Sequence, residues 1–198
     1  MQAKIVIFFQ KKHIFIKKYP KKKAICHFTI KSYFCAVKLL DSMYEKRFMM
    51  EAIAMSRKCL TRGKGGPFGA VVVKDGQIVG RGGNQVTLDN DPTAHAEVIA
   101  IREACKNLGT FQLTGCEIYT SCEPCPMCLG AIYWARPDRI YYAANREDAS
   151  AIGFDDSLIY KEMNLSPEQR IIPGEEHDRE EALATLADWK AAENKIEY

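Results

Sequence analysis

The chain has 198 residues, of which 47% are hydrophobic and 27% charged, as is typical of a globular domain long enough to bury a core. Its net charge of +3 is unevenly distributed, because residues 1–42 contain ten lysines and a single acidic residue, which leaves 18 basic and 24 acidic residues in 43–198. An acidic body argues against a broad surface for nucleic acid, and no apolar run reaches the length of a membrane span.

Residues 1–42 differ in composition from the rest of the chain, since they combine lysine with isoleucine and phenylalanine and contain no arginine or glycine. Their apolar positions follow no sustained helical or strand period. A targeting presequence, a nucleic-acid-binding arm and a misassigned translation start each fit this composition in part. We favour the third interpretation, with Met43 as the first residue, and otherwise expect the extension to be disordered. Residues 43–198 then form one domain.

The first elements of this domain are a helix and a hairpin. Apolar residues at helical spacing predict a helix over 43–60, which the glycine-rich segment "RGKGGPFG" ends. In "AVVVKDGQIVG", two runs rich in β-branched residues flank Asp75 and Gly76, a pair that favours a tight turn, so this segment predicts a β-hairpin. The segment "RGGNQVTLDNDP" is a loop by composition.

Helices and strands alternate in the remainder of the chain. The predicted elements are a helix over 94–108 closed by Gly109, a strand over 116–121, a helix over 124–135, a strand over 139–144 and a last helix over 180–190. A helix, a hairpin and then this alternation predict an α/β fold in which a sheet carries helices on both faces.

Eight cysteines without a clear secretion signal favour metal or thiol chemistry in a reducing compartment such as the cytoplasm. In "SCEPCPMC", Pro124 suits the first turn of a helix, because it has no N–H group to leave unbonded. Cys125 then lies at the N-terminus of that helix, and Cys128 lies one turn later on the same face, where the helix dipole favours the metal-binding thiolate. Cys122 has the same spacing, but it precedes the proline, so we interpret it as a neighbour.

The segment "DPTAHAE" supplies a third ligand, His95, in the first turn of a helix that Thr93 would cap. Three protein ligands with an open fourth position are typical of catalytic zinc, whereas four indicate a structural site. A capping box with Thr93 would need its acid at Ala96, so Glu97 does not fit that role. We interpret Glu97 as a proton carrier beside zinc-activated water. A closed structural zinc site or free buried thiols are the simpler alternative.

The joint pattern H-A-E followed by P-C-x-x-C is typical of the zinc-dependent nucleobase deaminases. Residues 43–198 resemble, essentially end to end, the guanine deaminases of the cytidine-deaminase fold. The likeness is carried by "GGPFGAVVVKDG", "NDPTAHAEVIAIR", "YTSCEPCPMCLGAIYWARP", "GFDDSLIYKE" and "NKIEY". The zinc motifs are shared with tRNA adenosine deaminases and cytosine deaminases, whereas "GFDDS" and the aromatic C-terminus are more specific. Residues 1–42 have no counterpart in that family.

This resemblance implies a three-layer α/β/α sandwich around a central mixed sheet, and a homodimer whose C-terminal segments are exchanged. It also implies one zinc ion per subunit and the hydrolytic deamination of guanine to xanthine and ammonia by a zinc-bound hydroxide. The partner would be a small purine base, with neither nucleic acid nor membrane involved.

Positions that match the family's motifs imply individual roles. The implied zinc ligands are His95, Cys125 and Cys128, and Glu97 would move protons from water to the ring nitrogen and then to the leaving amine. The implied substrate contacts are Asn84, Phe68, Phe154, Asp156 and Tyr198, with the two phenylalanines on the faces of the base and Asp156 also catalytic. The N–H edge of guanine needs an acceptor, which a carboxylate supplies. In a simpler interpretation, Asp155 and Asp156 cap the following helix, Phe68 belongs to the core and Tyr198 frays.

Three other functions are compatible with the sequence. A tRNA adenosine deaminase would need a basic strip beside the site, which the body lacks but the lysines of residues 1–42 could supply. A deaminase of another free base would differ only in pocket shape. A zinc-stabilised binding module would keep the metal ligands and lack catalysis.

Overall fold

The structure is a computed structural model that describes residues 6–10, 13–17, 24–26, 44–63 and 65–197. The chain divides into two compact units, residues 1–44 and residues 45–198. No helix among the described residues has the length and apolar character needed to cross a membrane.

The first unit contains a small antiparallel sheet of three strands, β1 (Val6–Gln10), β2 (His13–Lys17) and β3 (Ala24–Cys26). Strand β2 lies in the middle and pairs with both neighbours. The sequence did not indicate these strands, because their apolar residues follow one another in runs instead of alternating. That Met43 is the true first residue stays a prediction.

The second unit is built from four strands and several helices. The strands are β4 (Gly69–Lys74), β5 (Gln77–Gly83), β6 (Cys116–Cys122) and β7 (Arg139–Ala144). The longer helices are α1 (Lys46–Thr61), α3 (Ala96–Leu108), α4 (Pro126–Ala135) and α7 (Arg179–Ala191). The shorter helices are α2 (Val86–Asp89), α5 (Arg146–Ser150), α6 (Ser157–Glu162) and a 3₁₀ turn at Pro167–Gln169.

The strands form one mixed sheet in the order β5-β4-β6-β7. Strand β4 is antiparallel to both β5 and β6, whereas β6 and β7 are parallel. The β4–β5 connection is the expected hairpin, in which Asp75 and Gly76 both have positive φ angles, of 49° and 71°. A turn with two positive φ angles matches the twist of the flanking strands. The alternation seen in the sequence after the hairpin produces the parallel β6–β7 pair, with α4 as its crossover.

Helices cover both faces of the sheet, so the expected three-layer sandwich is confirmed. On one face, Val71, Val73 and Tyr119 pack against Phe48 and Met49 of α1. On the other face, the opposite-facing residues of the same strands pack against α3 and α4 in a second cluster. That cluster includes Ala70, Val72, Ile118, Ala96, Ala100 and Ile132.

Helix α3 lies unusually close to the edge strand β5. A Cβ atom at Gly82 would overlap the backbone oxygen of Ala96, so only glycine allows this approach. The helix presents alanines to the strand, and Ala96, Ala100 and Ala104 have no exposed surface. This packing fixes the position of the N-terminus of α3 relative to the sheet, and the predicted site residues His95 and Glu97 lie at that N-terminus.

Two sequence expectations near the site are wrong in detail. The segment expected to be a loop extends β5 to Gly83 and then forms α2, which ends at Asn90 in the left-handed conformation. Helix α4 begins at Pro126 instead of Pro124, because Pro126 occupies the first turn and Cys125 is the N-cap.

Candidate metal centre and its cavity

The three predicted zinc ligands lie at the N-termini of α3 and α4, above the end of β6. His95 is itself the N-cap of α3, so the expectation that Thr93 caps this helix is wrong. Thr93 belongs to the preceding turn, where its N–H and hydroxyl both donate to Oδ1 of Asp91. Cys125 is the N-cap of α4, and Cys128 is the third residue of that helix. Each ligand therefore projects from the first turn or N-cap of a helix, and packing against the sheet sets the position of that helix end.

The geometry of these three side chains fits zinc. The Nδ1 atom of His95 lies 3.5 Å from Sγ of Cys125 and 3.5 Å from Sγ of Cys128. A tetrahedral zinc ion that binds nitrogen at ~2.05 Å and sulfur at ~2.3 Å sets two such ligand atoms about 3.6 Å apart. Among the described residues, this group contains three ligands and no fourth. The arrangement is therefore that of a catalytic site with one open position.

The electrostatics of the sulfur atoms also favour a cation. Hydrogen bonds from Cys128 and from His95 lower the pKa of Cys125 well below its ordinary value, which favours the thiolate form. The interaction with Cys125 and burial raise the pKa of Cys128. Two adjacent buried thiolates repel each other unless a cation lies between them, which is what zinc provides.

Cys122 is a neutral neighbour of this centre. Burial raises its pKa to about 11, and its thiol donates to the backbone oxygen of Asn145, 3.4 Å away. It belongs to no metal-binding group among the described residues, as the sequence interpretation expected.

Glu97 lies beside the ligands but not among them. The side chain is 6% exposed. Its Oε2 lies 3.3 Å from Sγ of Cys128, and its Oε1 accepts a hydrogen bond of 3.2 Å from the hydroxyl of Thr120. Burial raises the pKa of Glu97 above its ordinary value. A carboxyl group whose pKa is raised holds a proton more readily than an ordinary one, which suits a group that must both take up and release a proton.

The centre opens into a cavity of about 610 Å³, which Asn84, Phe68, Phe154 and Asp156 line together with His95 and Glu97. All the predicted site residues that the structure describes, except the buried Cys128, therefore line one cavity. Tyr198 lies outside the described residues, so its role stays a prediction.

Asn84 is held rigidly at the wall of the cavity. It is 5% exposed, and its Oδ1 accepts hydrogen bonds from the backbone N–H groups of Gly66, at 2.9 Å, and Val86, at 3.3 Å. The amide oxygen is thus occupied, and the amide nitrogen is the part of the side chain that can serve a ligand. Gly65 permits this packing, since it has a φ of +90° and a Cβ atom there would overlap the backbone oxygen of Asn84.

Phe68 and Phe154 pack against each other, with ring centroids 4.8 Å apart and an interplanar angle of 87°. This edge-to-face contact leaves no room for a planar base between the two rings as they stand here, and their contact with the faces of a base stays a prediction. The pair forms a joint aromatic wall, on which a base can stack from one side.

Asp156 does not cap the helix that follows it. It is the N-cap residue of α6, yet its side chain accepts no capping hydrogen bond. Asp155 takes that role instead, because its carboxylate accepts from the N–H and the hydroxyl of Ser157. Asp156 is left to line the cavity, where burial and then the negative charge of Cys125 raise its pKa.

The sequence interpretation missed three residues near the centre. Glu123 and Arg146 line the cavity, and the Glu123 carboxylate accepts from the backbone N–H of Arg146 at 3.2 Å. Thr120 contacts Glu97 from β6. The signal for Thr120 was its place in "CEIYTSC", where a hydroxyl occupies an inward position between Ile118 and Cys122.

Comparisons with known proteins give the same family. The family model of the cytidine and deoxycytidylate deaminase zinc-binding region matches residues 43–144. Guanine deaminase of Bacillus subtilis is 54% identical over 156 residues, which are 79% of this chain and 100% of that protein. A tRNA-specific adenosine deaminase of Haemophilus influenzae is 35% identical over 162 residues, 79% of this chain and 90% of that protein.

Solved structures agree with this relationship. The X-ray structure of the B. subtilis guanine deaminase superposes with a TM-score of 0.76 at 54% identity, covering 79% of this chain and 99% of that one. A guanine deaminase structure from Nitrosomonas europaea superposes with a TM-score of 0.54 at 33% identity, covering 57% of this chain and 65% of that one. Since the matched region contains both motifs that form the metal centre, the chain belongs to the cytidine and deoxycytidylate deaminase family and is a zinc-dependent deaminase.

Proposed function

We propose that this deaminase hydrolyses guanine to xanthine and ammonia. The observation that carries the proposal is the match to a guanine deaminase over that protein's whole length at 54% identity, well beyond the zinc-binding region. The tRNA-specific adenosine deaminase that covers a similar share of the chain is 35% identical. The cavity adds support, because it combines an aromatic wall with a carboxylate and an amide that suit a flat, polar base.

The residues of the chain divide the chemistry between them. His95, Cys125 and Cys128 would hold zinc, which supplies a Lewis acid that makes water a nucleophile at neutral pH. Glu97 takes a proton from that water at Oε2, the oxygen nearer the ligands, and delivers protons to the ring nitrogen and to the departing amine. A C–O bond forms, the C–N bond to the exocyclic amine breaks, and ammonia leaves.

Asp156 and Asn84 orient the base. The Asp156 carboxylate would accept from the N–H edge of guanine, and the Asn84 amide would donate to an acceptor on the ring. One face of the base would stack on the wall formed by Phe68 and Phe154. Tyr198 would close the cavity from the C-terminal end, as the family resemblance implies.

The test is the ultraviolet spectrum of guanine, adenine, cytosine, cytidine and a tRNA anticodon stem-loop, each incubated with the zinc-loaded full chain. We expect conversion of guanine with one ammonia released per xanthine formed. Glu97→Gln should retain zinc and lose roughly 10²- to 10⁴-fold in kcat, as is typical for a general acid–base group. Conversion of the stem-loop adenosine without conversion of guanine would support the tRNA alternative, and conversion of another base alone would change the substrate. An active Glu97→Gln variant would contradict the mechanism.

We propose in addition that the protein is a cytoplasmic homodimer in which the C-terminal segments are exchanged. Helix α7 has no buried residue, and Leu186 and Trp189 on it are 61% and 49% exposed. Apolar surface of this kind favours a protein partner. Light scattering of the full chain should give twice the monomer mass, and Leu186→Glu should shift the species to a monomer. A parent protein that is monomeric at micromolar concentration would exclude the dimer.

We also propose that residues 43–198 are sufficient for activity. The unit boundary at 44/45 and the 156-residue match to the B. subtilis enzyme support this division. Deleting residues 1–42 should leave kcat/KM for guanine unchanged. A loss of activity on truncation would assign these residues a role.

A further inference from the structure

We propose that Thr120 is a positioning residue for Glu97. The hydroxyl of Thr120 decides which oxygen of the Glu97 carboxylate faces the metal centre. The inference rests on the deaminase chemistry proposed above, whichever base is the substrate. Thr120 is 1% exposed, and its Oγ1 lies 3.2 Å from Oε1 of Glu97. The other oxygen, Oε2, lies 3.3 Å from Sγ of Cys128. The two carboxylate oxygens therefore have different neighbours, one a hydroxyl and one a metal ligand.

Glu97 needs such a restraint because of its place in α3. It is the second residue of the helix, where the first backbone N–H groups have no partner within the helix. A carboxylate at this position is attracted to those groups. A Glu97 side chain that turned fully towards the helix end would cap α3 and leave the ligands. The hydrogen bond from Thr120 opposes that rotation by holding Oε1.

Thr120 is suited to this task because it is itself fixed. It lies in β6 between β4 and β7, opposite Ala70 on one side and Tyr142 on the other. A β-branched side chain in a central strand has little χ1 freedom, so the hydroxyl has a defined direction. Its neighbours on the same face of β6 are Ile118 and Cys122, so Thr120 has the most polar side chain of the three. A hydroxyl there is costly unless it is hydrogen-bonded, and Glu97 is its partner.

The test replaces the hydroxyl and keeps the shape. Thr120→Val should lower kcat roughly tenfold to hundredfold, as expected for loss of a hydrogen bond to an ionisable group, with KM changed less than about twofold. Thr120→Ser should restore kcat to within about threefold of the parent, because the donor is regained. Zinc content should equal that of the parent in both variants, since Thr120 is not among the ligands. Thr120→Ala repeats the test should the valine variant fail to fold.

A neighbouring hydroxyl provides the matched control. Ser121 lies on the opposite face of β6, where its Oγ accepts from the backbone N–H of Gly69 at 3.0 Å. Ser121→Ala should lower the melting temperature and leave kcat unchanged, which separates a general effect of altering β6 from an effect on Glu97. In a Glu97→Gln background, Thr120→Val should cause no further loss of kcat, because residues that act through one group are not additive.

The outcomes separate this inference from the proposed function. If Glu97→Gln loses turnover while Thr120→Val and Thr120→Ala retain the kcat of the parent, the positioning role is wrong and the proton carrier stands. If Thr120→Ser fails to restore kcat, or the valine variant loses zinc, the hydroxyl does not act through the orientation of Glu97. If Glu97→Gln is as active as the parent, the deaminase mechanism itself fails first.

Discussion

Asn84 combines a structural and a chemical role that two substitutions can separate. Its Oδ1 accepts from the backbone N–H groups of Gly66 and Val86, and the residue is 5% exposed. Asn84→Ala removes both bonds, at a net cost of about 1 to 1.5 kcal/mol each in the free energy of unfolding. For a unit of this size the resulting loss of about 2 to 3 kcal/mol corresponds to a fall of roughly 4 to 12 °C in melting temperature.

Asn84→Asp keeps an acceptor oxygen for both N–H groups, removes the amide donor and adds a negative charge, which the two N–H groups can partly stabilise. We expect the melting temperature to stay much closer to that of the parent than for alanine. Both variants should lower kcat/KM for guanine, roughly tenfold to hundredfold, because an acceptor on the base is left without its donor. Relative to its fall in melting temperature, the aspartate variant should therefore lose more kcat/KM than the alanine variant.

The assays are thermal unfolding followed by circular dichroism and steady-state conversion of guanine followed in the ultraviolet. Asn90 provides the matched control, because it is an exposed asparagine at the end of α2 and Asn90→Asp adds the same charge outside the cavity. The reasoning would be refuted if Asn84→Asp destabilised the protein as much as Asn84→Ala while leaving kcat/KM at the parent value.

Three further predictions concern the metal, the packing and a half-buried acid. Cys128→Ser should reduce bound zinc, measured by atomic emission, from about one per chain to a small fraction, since two ligands hold zinc poorly. Gly82→Ala should lower the free energy of unfolding in urea by about 1 to 3 kcal/mol, because its Cβ atom meets the Ala96 backbone; an unchanged midpoint would contradict this packing. Burial raises the pKa of Glu117, so its stabilising contribution is complete below pH 4.5 and is lost as pH rises through its folded-state pKa. Glu117→Gln should remove this decline in the free energy of unfolding with rising pH. If the free energy of unfolding falls equally with pH in parent and variant, Glu117 is not the source of the decline.

Local sequence patterns predicted most of the elements that build the site. The hairpin at Asp75 and Gly76, the helix ended by Gly109 and the strand "CEIYTS" all depend on interactions within a few residues, and each was confirmed. The helix starts were less predictable. Thr93 and Pro124 are good residues for a helix start, but His95 and Cys125 occupy the N-cap positions, since backbone geometry beside the sheet decides where a helix begins.

The three zinc ligands were predictable because a metal site restricts both residue type and spacing. Two thiols three residues apart at a helix start, with a histidine and a glutamate on another helix, have few other uses. The substrate side was harder to predict. The sequence indicated Phe68 and Phe154 as aromatic contacts, yet only their packing reveals that they form one wall and not two.

By itself, the sequence determined which residues could bind zinc, carry a proton and build an α/β layer, because these properties depend on residue type and short spacing. The tertiary structure alone decided how those residues meet. The glycine contact that brings α3 onto β5, the hydroxyl of Thr120 beside Glu97 and the N–H group of Gly66 on Asn84 join residues that are 14, 23 and 18 positions apart in the sequence. Such contacts depend on the register and layering of the whole sheet, which no local pattern encodes.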